Sequence, residues 1–170
     1  MKKLYKMLLS LVMVGTLFLG NTVVYAAAVN QADQNIRVVS ETTEYLENGM
    51  TVTTTVYEEQ PILARGLAAS TTTKSGSKSQ TFRNSSGKAV LTFTVYGEFE
   101  VNTGVSAECI DASYDYSIKD SAWELDSGSA WESGNKAYAS GSFSRSKLGV
   151  EIDSLDADLT LTCSSKGKLS

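Results

Sequence analysis

Beyond an apolar N-terminus, hydrophobic and polar residues alternate with a period of two along most of this chain. From Ala89 one phase reads Ala89, Leu91, Phe93, Val95, Gly97, Phe99 and Val101, and the other reads Thr92, Thr94, Tyr96, Glu98 and Glu100. Successive side chains of a strand point to opposite faces, so this pattern predicts one long, half-buried strand. Gly97 within it is expected to mark a bulge or bend. The same alternation sets Val105, Ala107 and Cys109 against Ser106 and Glu108, and Tyr114, Tyr116 and Ile118 against Asp115, Ser117 and Lys119. Trp123 and Leu125 open a further strand, expected to break near Gly128. Ala137, Ala139, Gly141 and Phe143 follow the Ser133-Gly134-Asn135 turn, and Ala157, Leu159, Leu161 and Cys163 close the chain. No helical period persists. Strands of this kind, separated by turn residues and wet on one face, predict an all-β fold with an antiparallel β-sandwich over residues 79–170.

Upstream, Ile36 to Glu59 reads as a β-hairpin. Asn48-Gly49 suits a two-residue type I′ loop, in which both central positions need positive φ. That loop sets Glu47 opposite Met50, Tyr45 opposite Val52, Thr43 opposite Thr54 and Glu41 opposite Val56. One face then carries Val39, Tyr45, Val52 and Val56, too little apolar area for a two-stranded ribbon to stand alone in water. The hairpin region, 27–69, must therefore dock on the sandwich or self-associate through residues 36–59 by strand addition. Residues 70–78, rich in Ser, Thr and Gly, read as a linker.

The N-terminus changes where this domain is expected to work. Lys2, Lys3 and Lys6 precede the apolar stretch Met7–Gly20, and Val24-Tyr25-Ala26 supplies small residues at a cleavage point. This is the layout of a secretory signal peptide over residues 1–26, and its apolar part is shorter than the roughly 20 residues of a spanning helix. Removing it takes away three of the fifteen cations and none of the nineteen acids, leaving a net charge of −7. An acidic exported domain without a basic, aromatic-interleaved stripe is not expected to bind nucleic acid. Neither a lipoprotein cysteine after the cleavage point nor a sorting signal before Ser170 is present, so no membrane anchor is expected.

The chain has no histidine. That removes the usual general base, the commonest zinc ligand and the Ser-His and Cys-His nucleophile pairs. The remaining candidates are few. Glu151, Asp153, Asp156 and Asp158 form an acidic run that could hold a hard cation, or serve as a solvated negative face that discourages edge pairing; no metal or other cofactor is expected. Trp131 and Tyr138 flank a Gly-Asn turn and could stack on a sugar ring or simply pair across a hairpin. Glu98 and Glu100 are carboxylates of the type a histidine-free hydrolase would use, but they are neighbouring outward positions of one strand. Cys109 and Cys163, the only cysteines, fall on the apolar phases of their strands in an exported chain, so an intradomain disulfide between the sheets is expected. Trp123 lies between them, as in an immunoglobulin domain, yet Leu161 stands where the tyrosine corner would place Tyr. The architecture is immunoglobulin-like at most.

Tyr45-Leu46-Glu47-Asn48-Gly49 with its Thr-rich following strand, Lys74-Ser75-Gly76-Ser77-Lys78, Asn84-Ser85-Ser86-Gly87 and Leu159-Thr160-Leu161-Thr162-Cys163-Ser164 resemble a group of uncharacterised small secreted all-β proteins of Gram-positive, chiefly clostridial, bacteria. The resemblance covers most of the chain after the leader. It implies export, an all-β fold and the cysteine pair, and it brings no functional residues. The expected function is a secreted, non-catalytic binding or structural module with a protein or glycan partner. A carbohydrate- or cell-wall-binding domain is the alternative, and a carboxylate hydrolase the third reading.

The export reading is checked by N-terminal sequencing of the protein from culture supernatant. A start at Ala27 is expected; intact Met1 in the cell fraction would end it.

Overall fold

The computed structural model describes residues 35–60, 71–148 and 150–170; the leader and cleavage site expected over 1–26 lie outside the described residues. Eight strands run among them: β1 (Ile36–Tyr45), β2 (Thr51–Glu59), β3 (Thr71–Arg83), β4 (Ala89–Asn102), β5 (Ser106–Ile118), β6 (Trp123–Ser133), β7 (Lys136–Lys147) and β8 (Val150–Thr162). They form two antiparallel sheets, β1-β2-β3-β4-β5 and β6-β7-β8, packed as a sandwich with no barrel closure. Every neighbour in each sheet is a neighbour in sequence. The fold is therefore a meander, without the crossover that an immunoglobulin sandwich requires.

The phase expected for β4 is the phase observed. Leu91, Phe93, Val95, Phe99 and Val101 are buried, and Phe93 meets Phe143 of β7 edge-on at 5.8 Å. Ala137 and Ala139 of β7 with Ala157, Leu159 and Leu161 of β8 complete the opposing layer. Gly97 makes a close approach instead of a bulge. A Cβ there would meet the Phe99 ring and the Ala137 Cβ at 2.8–2.9 Å. The bulge lies beside it on β5, where Glu98 pairs with Asp111 and Phe99 with Cys109, leaving Ile110 unpaired. Nor does the chain break at Gly128, which lies within β6 under the Tyr114 ring.

The hairpin differs by one residue from the expected pairing. Gly49 N donates to Leu46 O (3.0 Å), Leu46 N donates to Met50 O (2.8 Å), and Gly49 has φ of 77°. This is a three-residue loop ending in a left-handed glycine. Tyr45 pairs with Thr51, Glu44 with Val52 and Thr43 with Thr53. A one-residue slip exchanges the faces of a strand, so Tyr45 leaves the apolar face and is 86% exposed. Val39 still packs on the core with Val52 and Val56, because a bulge between Val38 and Ser40 restores the phase.

Residues 71–78, expected as part of a linker, are the first half of β3. This strand pairs with β2 from Thr51↔Arg83 to Glu58↔Gly76 and with β4 along its whole length. The strand continues to Arg83, and hydroxyls in its second half find partners across the sheet. Ser79 Oγ and Thr94 Oγ1 lie 2.8 Å apart, and Thr81 Oγ1 and Thr92 Oγ1 3.1 Å apart. Through β3 the N-terminal hairpin joins the main sheet, so it docks on the sandwich.

Five strands cannot be covered by three, and the C-terminus supplies part of the missing cover. Ser164 N and Lys168 O, and both main-chain groups of Thr162 and Ser170, close a small hairpin after β8. It seats Leu169, 1% exposed, against Gly76, where any Cβ would collide with Leu169 Cδ1 and the Tyr57 carbonyl oxygen. Replacing Leu169 by Ala is expected to lower the stability by about 2–5 kcal/mol, read as a fall in the urea midpoint at unchanged slope. An unchanged midpoint would mean that the C-terminal hairpin is not part of the cooperative core.

Candidate functional site

Three connections, β1–β2, β3–β4 and β5–β6, meet at one end of the sandwich beside paired residues of β7 and β8. They surround a pocket of about 140 Å³. Its apolar floor is Met50, Val90 and Trp123, with Met50 at 7% and Trp123 at 4% exposure. Asn48 comes from the first turn, Asn84 and Ser85 from the second, Asp120 from the corner, and Arg145 and Asp153 from paired positions of β7 and β8. The corner is held by Lys119 N and Asp120 N, both donating to Val90 O, and by Asp120 Oδ1 accepting from Ala122 N.

The two asparagines are set by their own turns. Asn48 Oδ1 accepts from Met50 N at 3.1 Å. Asn84 Oδ1 accepts from Ser86 N, Ser86 Oγ and Lys88 N. With the carbonyl ends committed, the amide Nδ2 ends are left for the pocket. Arg145 differs in kind. It lies on the core-facing phase of β7, two residues after Phe143, beside Trp123 on one strand and Asp153 on the other. Among the described residues its buried Nε has no hydrogen-bond partner and no carboxylate lies within 4 Å of its guanidinium.

A second polar group enters the interior near the opposite end, and there the charges are compensated. Glu58 of β2 receives Lys74 Nζ at 2.7 Å and Arg37 Nη2 at 2.6 Å. Burial pushes the Glu58 carboxyl up, but the two cations outweigh it and hold its pKa below the usual value. Lys78, also on the inner side of β3, donates to Thr160 O at 3.0 Å, and burial pulls its ammonium down. The Glu58 pairs hold β1, β2 and β3 of one sheet together, and Lys78 ties that sheet to β8 of the other.

The candidates from sequence fall in four places. Trp131 and Tyr138 pair directly across β6 and β7, stacked with ring centres 5.3 Å apart and planes 4° from parallel. They stand on the outer face, with Trp131 46% exposed. Glu151, Asp153, Asp156 and Asp158 spread along β8; Asp156 accepts from Ser142 Oγ (2.7 Å), and Asp153 lines the pocket alone among them. Among the described residues no group of three or more His, Cys, Asp or Glu is placed to hold a metal ion. Glu98 and Glu100 stand on the open outer face of β4, opposite Asp111 and Glu108. Arg145, Asn48, Asn84 and Asp120 were not among the sequence candidates. The one signal for them was a cation on the apolar phase of β7.

Cys109 and Cys163 are free thiols, in contrast to the expected disulfide. Each sulfur turns to a local carbonyl, Cys109 Sγ to Asp111 O (3.2 Å) and Cys163 Sγ to Ser164 O (3.6 Å). Backbone bonds fasten the two segments instead: Cys109 N donates to Gly134 O and Cys163 N to Asn135 O, while Asn135 Nδ2 donates to Cys163 O. The β6–β7 turn thus clasps both cysteine-bearing segments. No family model matches the chain, and no curated protein or solved structure matches it. No helix among the described residues is long and apolar enough to cross a membrane.

Burial pushes both thiols above their ordinary pKa, with the Glu132 and Asp111 charges adding to the effect at Cys109. The folded state therefore holds these protons longer than the unfolded chain. The stabilisation is complete below the unfolded thiol value of 9.0 and is lost as pH rises through the folded values. Alkylation of the native protein at neutral pH is expected to be much slower than in denaturant, because the attacking thiolate is both rare and covered. Above pH 9 the wild type should lose stability faster than the Cys109→Ala/Cys163→Ala variant. Rapid native labelling of both sulfurs, or parallel pH profiles, would contradict this account.

Proposed function

We propose that the protein is a secreted, non-catalytic binding module that presents a rigid polar surface to an extracellular partner. The observation that carries this reading is the outer face of the five-stranded sheet. One rank of hydroxyls, Thr43, Thr53, Thr81, Thr92 and Ser117, runs in register across all five strands. The next rank reads Glu41, Thr55, Ser79, Thr94 and Asp115. Neighbouring hydroxyls hold one another, as at Thr43 and Thr53 (3.0 Å), so the surface is ordered before any partner arrives. Preorganised groups lose little freedom on binding. The signal-like N-terminus and the resemblance to secreted proteins support action outside the cell. The free edge of β1 leaves self-association through residues 36–59 open to strand addition.

Carbohydrate at a cell wall or host surface is the second reading, favoured by the stacked Trp131–Tyr138 pair. A fixed, half-exposed indole is a platform for the apolar face of a sugar ring.

A glycan array and a cell-wall pulldown with the purified protein separate the two. Glycan capture that falls about tenfold or more in Trp131→Ala supports the carbohydrate reading, since loss of one aromatic anchor removes about 1.4 kcal/mol or more. Capture of a protein partner that Trp131→Ala leaves intact supports the polar surface. Turnover of any captured glycan would overturn the non-catalytic reading.

A further inference from the structure

From the pocket beside the β1–β2, β3–β4 and β5–β6 connections we infer that this protein has a specific site for a small amino- or hydroxy-carboxylic acid, with Arg145 as its carboxylate receptor. The inference rests on reading the chain as a binding module and adds to it a ligand class and a place. It does not involve the outer faces or the Trp131–Tyr138 pair.

The first support is the cost of Arg145 where it stands. A guanidinium on the core-facing phase of a strand forfeits hydration, and an interior donor left without an acceptor is destabilising. Glu58 on an inward phase is satisfied by Lys74 and Arg37, and Lys78 by Thr160 O; Gln80 Oε1, at the thinly covered β3 margin, is the other buried side-chain atom without a partner among the described residues. Arg145 has Asp153 directly across the ladder and Asp120 in the same pocket, yet it pairs with neither. The unpartnered Nε is itself closed to solvent, so a ligand carboxylate would meet Arg145 through the part of the guanidinium that lines the pocket.

The second support is the composition of the wall. Asn48 and Asn84 have their carbonyl ends committed to their own turns and offer amide donors, and Ser85 adds a hydroxyl. Asp120 and Asp153 each use one carboxylate oxygen on a backbone N–H and keep the other as an acceptor. A simple anion would face these two carboxylates unfavourably. A ligand that sets an ammonium or hydroxyl beside its carboxylate satisfies both kinds of group at once. The volume of about 140 Å³, small for a ligand pocket, suits a molecule of amino-acid size or the carboxylate end of a sugar acid, with its apolar part on Trp123, Met50 and Val90. A free amino acid and a sugar acid share this chemistry, and the test separates them.

The purified protein is titrated by calorimetry and by ligand-observed NMR with L-alanine, L-lactate and D-glucuronate. Acetate and methyl glucoside serve as controls lacking the donor or the carboxylate. Binding of at least one of the first three with a dissociation constant below about 10 mM, and at least about tenfold tighter than either control, is expected. Preference for L-alanine identifies the amino-acid source, and preference for D-glucuronate the sugar acid. Arg145→Lys keeps the charge and loses the fork, so affinity should fall about tenfold or more. Without ligand, Arg145→Met should melt at or above the wild-type temperature, because it removes an unsatisfied interior donor.

Two results would overturn the inference. One is saturation by no acid in the panel. The other is an Arg145→Met melting temperature lower by about 5 °C or more, which would assign the guanidinium to the fold. The second readout needs no ligand and holds for any acid. A negative panel beside a positive cell-wall or protein pulldown would remove this site and leave the binding-module reading standing.

Discussion

Two sheets of unequal width must share one interior, and much of this structure answers that mismatch. Hydrophobic burial favours full cover of the inner face of β1 to β5, but β6 to β8 reach only part of it. Where the cover is complete, above β4, the inner positions are Phe, Val and Leu at 0–1% exposure. Where it runs out, above β3, they are Lys74, Gly76, Lys78 and Gln80. The fold closes that margin with the C-terminal hairpin, which lays Leu169 on Gly76, and with long cations whose apolar stems bury while their heads find oxygen. Glu58 belongs to the same margin. Its carboxylate is tolerable there because two cations reach it, and removing either would leave a charge poorly hydrated and underpaired.

How much of this was legible depended on whether a strand carries its own apolar phase. Strand β4 does, and its span, its buried face and its wet face could all be read directly from Ala89 to Val101. Strands β7 and β8 do as well. Strand β3 does not, since its inward positions before Phe82 are Lys74, Gly76, Lys78 and Gln80 and its outward positions are Thr73, Ser75, Ser77, Ser79 and Thr81. Read alone, such a stretch has the composition of a flexible linker. Only its neighbours show that Ser79 and Thr81 find hydroxyl partners across the sheet. A period-two test cannot find a strand whose two faces are both polar.

The hairpin shows a finer limit. Asn48-Gly49 correctly marked the turn, but the same dipeptide fits a two-residue loop or a three-residue loop with glycine in the left-handed position. The choice moves every β1 side chain by one place, and it put Tyr45 in solvent. The compensating bulge at Val39 could not be foreseen either, because it exists to return one valine to a core that β1 alone does not define. The cysteines carry the same lesson. Their phases were right and both are buried, yet the link between their segments is made by the main chain of Gly134 and Asn135.

Polar residues on inward phases therefore fall into two groups among the described residues, those with partners and the two, Gln80 and Arg145, with a buried side-chain atom that has none. Glu58, Lys74 and Lys78 sit where cover is thin, and each has partners on the opposing chain segment; they serve the fold. Arg145 sits beside well-covered Trp123, in a pocket rimmed by carboxylates it does not touch. A closer approach to Asp153 would satisfy it, and the ladder already places the two residues opposite each other. That it stands apart means that the turns around it hold the pocket open, through Asn48, Asn84 and Asp120, each fixed by its own backbone bonds. Stability is given up locally by keeping a charged donor unsatisfied, and the rigid turns prevent the collapse that would recover it. Such a conflict between local preference and global fold is what the proposed carboxylate site accounts for.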